Sequence, residues 1–227
     1  MPLLLFTLLL LAAVAGPGIW VKRVLSKYSE PADRYRGRGS GAELARHLLD
    51  RFDLQEVSVE VAPTGDHYDP EARAVRLTED KYHGHSLTAI TVAAHEVGHA
   101  MQHARGERLF RQRQKLAGMA ARGQRLGGII LLAAPVIMLL TRAPVLGLGF
   151  LAVAVGSMLV GTLVHLVTLP VELDASFGKA LPALEDGEYL HEGDQKHANR
   201  ILRAAALTYV AASLASLLNL GRWLAVL

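Results

Sequence analysis

The chain has 227 residues, 51% of them hydrophobic, and a mean hydropathy of +0.26, which excludes a disordered or fibrous polypeptide and leaves a well-buried domain or a membrane protein. It contains no cysteine, so a disulfide framework and a thiolate metal site are excluded and any metal must be held by His and carboxylates. The formal charge of +3 does not argue for a nucleic-acid partner, because the basic residues sit beside apolar runs.

Residues 2–21 are one uncharged run, about 30 Å long as a helix and therefore long enough to cross a bilayer. Ala13-Val14-Ala15 has the look of a signal-peptide cleavage site. No Lys or Arg precedes the run, however, whereas Lys22, Arg23, Lys27, Arg34, Arg36 and Arg38 follow it, an order that anchors a helix with its C-terminal end in the cytoplasm. Residues 22–125 are more polar and read as a small mixed domain. Ser40 or Gly41 caps a predicted helix that runs to Phe52, with Leu44, Leu48 and Leu49 on its apolar side. Val57, Val59 and Val61 alternate with polar residues as in a half-buried strand, residues 63–66 form a turn, and residues 72–77 form a second strand. The polar cluster Asp66-His67-Tyr68-Asp69-Pro70 is open between a cleft lining and a turn.

The next segment carries the strongest chemical signal. His95-Glu96-Val97-Gly98-His99 lies in an Ala-rich stretch without proline from Ser86 to Ala104, so it predicts a helix. On that helix His95 and His99 leave one face a turn apart, a spacing at which two imidazoles reach one Zn²⁺. Glu96 is then placed to accept the proton of a water attacking a carbonyl. His103 is eight residues from His95, about 12 Å along the helix, and cannot share that metal.

Residues 107–125 predict a basic helix, a solvated or headgroup-facing surface rather than a nucleic-acid site. Apolar stretches at 126–140, 145–169 and 203–227 predict three more membrane spans. With four spans, all but Arg142 and Arg222 of the 24 basic residues fall on one side, which the positive-inside rule makes the cytoplasm. Glu172 then emerges on the side of His95 and His99 and becomes the expected third ligand, with Asp174 in reserve. Ser176 shares the helical face of Glu172, while Asp174 points away. Tyr209 is a candidate hydrogen-bond donor to the oxyanion, the alternative being a plain interfacial tyrosine, and His165 is an intramembrane residue that is either functional or hydrogen-bonded inside the bundle.

These stretches resemble the YugP-type neutral zinc metallopeptidases of bacterial membranes. The resemblance is carried by residues 66–70, Val75-Arg76-Leu77, residues 93–100, Leu169-Pro170-Val171-Glu172-Leu173-Asp174-Ala175-Ser176 and residues 204–212, and so covers most of the chain. It implies a zinc-dependent membrane peptidase with His95 and His99 as ligands and Glu96 as base. Glu172 also looks like the ligand of the Glu-x-x-Ala-Asp motif in a broader class of membrane proteases, with Ser176 standing at the motif's last position.

The expected fold is a mainly α membrane protein, with four transmembrane helices and a small zincin-like α+β cytoplasmic domain. Its expected division is a first transmembrane helix at 1–21, the domain carrying the motif at 22–125, and three further spans with a polar loop near 171–203 at 126–227. The expected activity is zinc-dependent endopeptidase action at the cytoplasmic face of the bacterial cytoplasmic membrane, with Zn²⁺ on His95, His99 and Glu172, and Glu96 and Tyr209 catalytic. Its expected partners are a peptide or membrane-protein substrate and the lipid bilayer. Hydrolysis of a lipid amide and a non-catalytic scaffold are the competing readings.

Overall fold

The computed structural model describes the backbone of residues 2–141, 149, 152, 153, 156, 160, 163, 164 and 167–224. The side chains of residues 2–4, 6–11, 124, 131, 134, 135, 138, 141, 212, 213 and 215–224 are outside the description. Two compact units emerge, one of residues 1–18, 112–168 and 209–227, the other of residues 19–111 and 169–208.

In the second unit, helix α1 (Pro2–Lys27) ends with Val21, Val24 and the following Tyr28 buried. Helix α2 (Gly41–Arg51) begins at a capping box, in which Ser40 Oγ accepts from the Glu43 amide and the Glu43 carboxylate accepts from the Ser40 amide. The strands β1 (Ser58–Ala62), β2 (His67–Asp69) and β3 (Ala74–Thr78) form a sheet in the order β1-β3-β2. β1 runs parallel to β3 and β2 antiparallel to it, so Val75 faces both Val59 and Tyr68. The middle strand is the most deeply packed, with Ala74, Val75 and Leu77 fully buried. On edge strand β1 the expected alternation is shallow: Val57, just before it, is buried, while Val61 is 43% exposed.

The polar cluster at 66–70 is β2 with a carboxylate clip at each end. Asp66 Oδ1 accepts from the amide and hydroxyl of Thr78, both at 2.8 Å, and Asp66 Oδ2 lies 3.2 Å from Lys81 Nζ. Asp69 accepts from the amides of Glu71 and Ala72 and pairs with Arg76; those two amides and Arg76 outweigh burial and hold its carboxyl below the usual range.

After the short helix α3 (Glu79–Tyr82), helix α4 (Leu87–Ala104) runs through the middle of the unit. Ser86 caps it by accepting from the Ala89 amide, and residues 87–102 are all buried, the pattern of a helix enclosed on every side. It packs against α2, α3, β2 and β3, and against a π-helical segment, Asp174–Ala180. The start of α4 is tied to the end of α1, since Thr88 donates from its amide to the Tyr28 carbonyl (3.1 Å) and from its hydroxyl to the Leu25 carbonyl (2.8 Å). Helix α5 (Arg108–Thr141) follows, and after the π segment come α6 (Leu181–Asp186) and α7 (Gln195–Leu224).

The loop before α7 is clamped at Asp194, which is 1% exposed. Arg34 donates to its carboxylate from Nε (2.6 Å) and Nη2 (2.7 Å), and Tyr35 donates its hydroxyl at 2.7 Å. Burial pushes the Tyr35 phenol up to about 12, so it stays a donor.

In the first unit, α5 presents Leu126, Ile129, Leu132, Val136, Leu139 and Leu140, each between 57% and 79% exposed. The four membrane-spanning helices expected from the sequence are not borne out by the described residues. Among the described residues, no helix is long and apolar enough to cross a membrane. The first half of α5 carries Arg108, Arg111, Arg113, Lys115, Arg122 and Arg125, which leaves only residues 126–140 as its apolar part. α7 likewise starts with Lys196, Arg200 and Arg203. Most of the expected third span at 145–169, His165 included, lies outside the described residues.

The clamp at Asp194 gives a stability prediction. Burial raises the Asp194 pKa, but the hydrogen bonds from Arg34 and Tyr35 outweigh it and hold the group below its ordinary value. A folded-state pKa below the unfolded one contributes stability that is complete above the unfolded value and is lost as pH falls through the folded one. Asp194→Asn should therefore cost about 1–3 kcal/mol at neutral pH in denaturant titrations, and its deficit relative to wild type should shrink below about pH 4.

Candidate metal centre

α4 supplies two imidazoles and the chain around the π segment supplies a carboxylate. His95, His99 and Glu172 are each 2% exposed, and one potential ligand atom from each lies within 4.8 Å of the others. Nε2 of His95 is 3.5 Å and Nε2 of His99 is 3.0 Å from the same oxygen, Glu172 Oε2. The two rings stand edge to face at 4.8 Å, and Glu96, 5% exposed, is the next residue on α4.

Two neutral side chains set the tautomer of both rings. The Ser176 hydroxyl donates to the Leu202 carbonyl (3.0 Å), so toward His95 Nδ1 at 2.9 Å it acts as acceptor. The Gln102 amide nitrogen donates to the Val171 carbonyl (2.9 Å) and to Asp174 Oδ2 (2.8 Å), which turns its oxygen toward His99 Nδ1 at 2.9 Å. Both histidines thus carry their proton on Nδ1, and both Nε2 lone pairs face Glu172. Three electron-pair donors converging in a buried place repel one another unless a cation lies among them. Two imidazoles and one carboxylate are also the ligand set of a zinc site that keeps a position open for water. The residues present therefore fit a zinc ion.

The close approach of the two ligand-bearing segments is set by Gly98, inside the motif. A Cβ there would lie 2.5 Å from the Ala175 carbonyl oxygen, so only glycine lets α4 come this near the π segment. The π segment also changes what the residues after Glu172 can touch. Regular helical spacing turns Asp174 away from the site, whereas here Asp174 reaches both Gln102 and Lys179, the latter at 2.7 Å and five residues on, as a π turn allows. Lys179 also lies 3.1 Å from Glu107. Burial pushes the Asp174 pKa up, and the hydrogen bonds from Lys179 and Gln102 bring it below its usual value.

His103 is not among the three grouped ligand residues. His103 pairs with β2: the Tyr68 hydroxyl and His103 Nδ1 share a hydrogen bond at 2.9 Å, and burial pushes the Tyr68 phenol up to about 12 and lowers the His103 pKa. Tyr209 belongs to the first unit, where the Arg113 guanidinium sits 5.2 Å from its ring centroid. Gln102 and the accepting role of Ser176 went unrecognised in the sequence. The i, i+3 spacing from His99 to Gln102 and the i, i+4 spacing from Glu172 to Ser176 are the signals that point to them.

A buried helix carrying His-Glu-x-x-His, with a downstream Glu closing the triangle, is a metal-binding arrangement of the kind that zinc peptidases carry. The chain belongs to the family described as "Putative neutral zinc metallopeptidase", whose model matches residues 3–227. It is 37% identical over 229 residues to "Putative membrane protease YugP" of Bacillus subtilis (strain 168), an alignment covering 98% of this chain and 96% of that protein. No solved structure matches it.

Gly98→Ala tests the close approach. Helix propensity alone favours Ala by about 1 kcal/mol. The clash with a backbone oxygen is the larger effect, so the substitution should lower the unfolding free energy by about 1–3 kcal/mol and should weaken zinc binding in a chelator competition.

Proposed function

We propose that this protein is a zinc metalloendopeptidase working at the cytoplasmic face of a membrane. The observation that carries the catalytic part is the convergence of both Nε2 atoms on Glu172 with both Nδ1 atoms already committed. In this reading His95, His99 and Glu172 hold the metal. Bound zinc supplies Lewis acidity toward water and the peptide carbonyl. Glu96 accepts the proton of the attacking water at its carboxylate and delivers it to the leaving amine. Ser176 and Gln102 keep the two imidazoles neutral and aimed. Burial of the whole set keeps bulk water from competing for these hydrogen bonds and strengthens the charge interactions within.

The membrane part is supported by the exposed face of α5. Leu126, Ile129, Leu132, Val136, Leu139 and Leu140 recur every three or four residues, and exposed Lys115, Arg122 and Arg125 precede them on the same helix. A large exposed apolar stripe next to basic residues suits contact with lipid and its anionic headgroups. The relative's name, a membrane protease, agrees with this.

Purified full-length protein should contain one zinc per chain, lose cleavage of a denatured protein substrate on chelation and regain it with zinc. Glu96→Gln should keep the metal while cleavage falls by about 10²–10⁴-fold. Glu172→Ala should lose the metal; a full complement of zinc in that variant would remove Glu172 from the ligand set. Cleavage of lipid amides with no action on peptides would replace the peptidase reading by a lipid hydrolase.

A further inference from the structure

Gln102 is 1% exposed, and its side chain makes three hydrogen bonds within 3 Å. Its oxygen faces the outer nitrogen of His99. Its amide group faces the backbone of Val171 and the carboxylate of Asp174, the residue before Glu172 and the one two after it. One side chain therefore touches a metal-binding imidazole from α4 and brackets the metal-binding carboxylate from the other segment. We propose that Gln102 is a positioning residue for the metal centre. It selects the His99 tautomer and fixes the Glu172-bearing turn against α4. This rests on His95, His99 and Glu172 being the ligands.

The geometry explains why glutamine suits the position. His99 Nδ1–H needs an acceptor, and the Val171 carbonyl and Asp174 carboxylate need donors. A primary amide supplies both from one terminus, while a carboxylate, hydroxyl or apolar group leaves at least one of these bonds unmade. Asp174 is in turn held by Lys179, and Lys179 by Glu107, at the start of the chain leading into α5. The chain of contacts His99, Gln102, Asp174, Lys179, Glu107 thus fixes the π segment in place from its side facing α4. His95 has a separate support in Ser176 and Leu202, so loss of Gln102 should act on one imidazole only.

The test uses the full-length protein with zinc as the probe. Affinity is measured by competition with a chromophoric chelator, and the hydrogen bonding of each ring Nδ1–H by proton–nitrogen NMR of the zinc-loaded protein. Gln102→Leu should lower zinc affinity by about 10–100-fold. It should also deprive the His99 Nδ1–H of its acceptor, so that this proton exchanges faster with solvent, while the His95 Nδ1–H stays as protected as in wild type. A general loss of packing would not move one ring and spare its neighbour. Gln102→Glu retains an acceptor for His99 but no donor for Val171. The His99 Nδ1–H should stay protected there, and affinity should still fall about tenfold.

Wild-type affinity in Gln102→Leu with the His99 Nδ1–H as protected as in wild type would overturn the proposal. Wild-type affinity in Gln102→Glu would overturn its second half, the bracing of the Glu172 turn. If Gln102→Leu does not fold, Gln102→Glu decides through the same two readouts. Wild-type protein that binds no zinc would instead overturn the metal-site reading on which this one rests.

Discussion

Two imidazole nitrogens and a carboxylate oxygen, all presenting lone pairs and all out of water, can stay together only if something positive lies among them and something rigid holds them there. The second unit supplies the rigidity. α4 is buried along its length, its first turn is tied to the end of α1 through Thr88, and at Gly98 its backbone is near enough to the Ala175 carbonyl that no Cβ fits between. The π segment offers its carbonyl at that point, and the chain just before it offers Glu172. Moving either segment by the width of a methyl group would part the carboxylate from the imidazoles.

The sequence made some of this legible through helical periodicity and left the rest obscure for reasons that can be traced. The helix at 87–104, its cap and the shared face of His95 and His99 follow from local spacing and composition, which act over a few residues. The Ser40–Glu43 capping box is of the same kind. The approach of Glu172 to His95 was inferred from the order of membrane crossings, a premise the described helices do not bear out. The structure brings Glu172 there through packing against Gly98. Glycine at 98 reads in the sequence only as a small residue on a helix, because its necessity lies in an atom 77 residues further along the chain.

The π segment was hidden for a related reason. Nothing in Asp174-Ala175-Ser176-Phe177-Gly178-Lys179-Ala180 forbids an α-helix, and a spacing of 3.6 turns Asp174 away from the site. The wider turn is held by contacts outside the segment, chiefly those of Asp174 with Gln102 and of Lys179 with Glu107. β2 is similar. Asp66, Asp69 and Pro70 are turn-forming residues by composition, and it is the pairing with β3 and the burial of Tyr68 against His103 that make a strand of them.

Charge accounting around the centre points one step further. Both imidazoles are oriented by neutral groups, a serine hydroxyl that passes its own proton to the Leu202 carbonyl and a primary amide. Ser176 stands where the related motif has an aspartate, so the site orients His95 without placing a second anion next to it. Glu172 is then the carboxylate in contact with both Nε2 atoms, and Asp174, two residues on, has its charge answered by Lys179. A divalent cation with two neutral imidazoles and one carboxylate keeps a net charge of +1. Carboxylates behind the rings would raise their basicity and draw that charge down. In the proposed reading, neutral orienting groups would leave more of it for the Lewis acidity that bound zinc would supply, and Glu96, beside His95 on α4, would take up the proton.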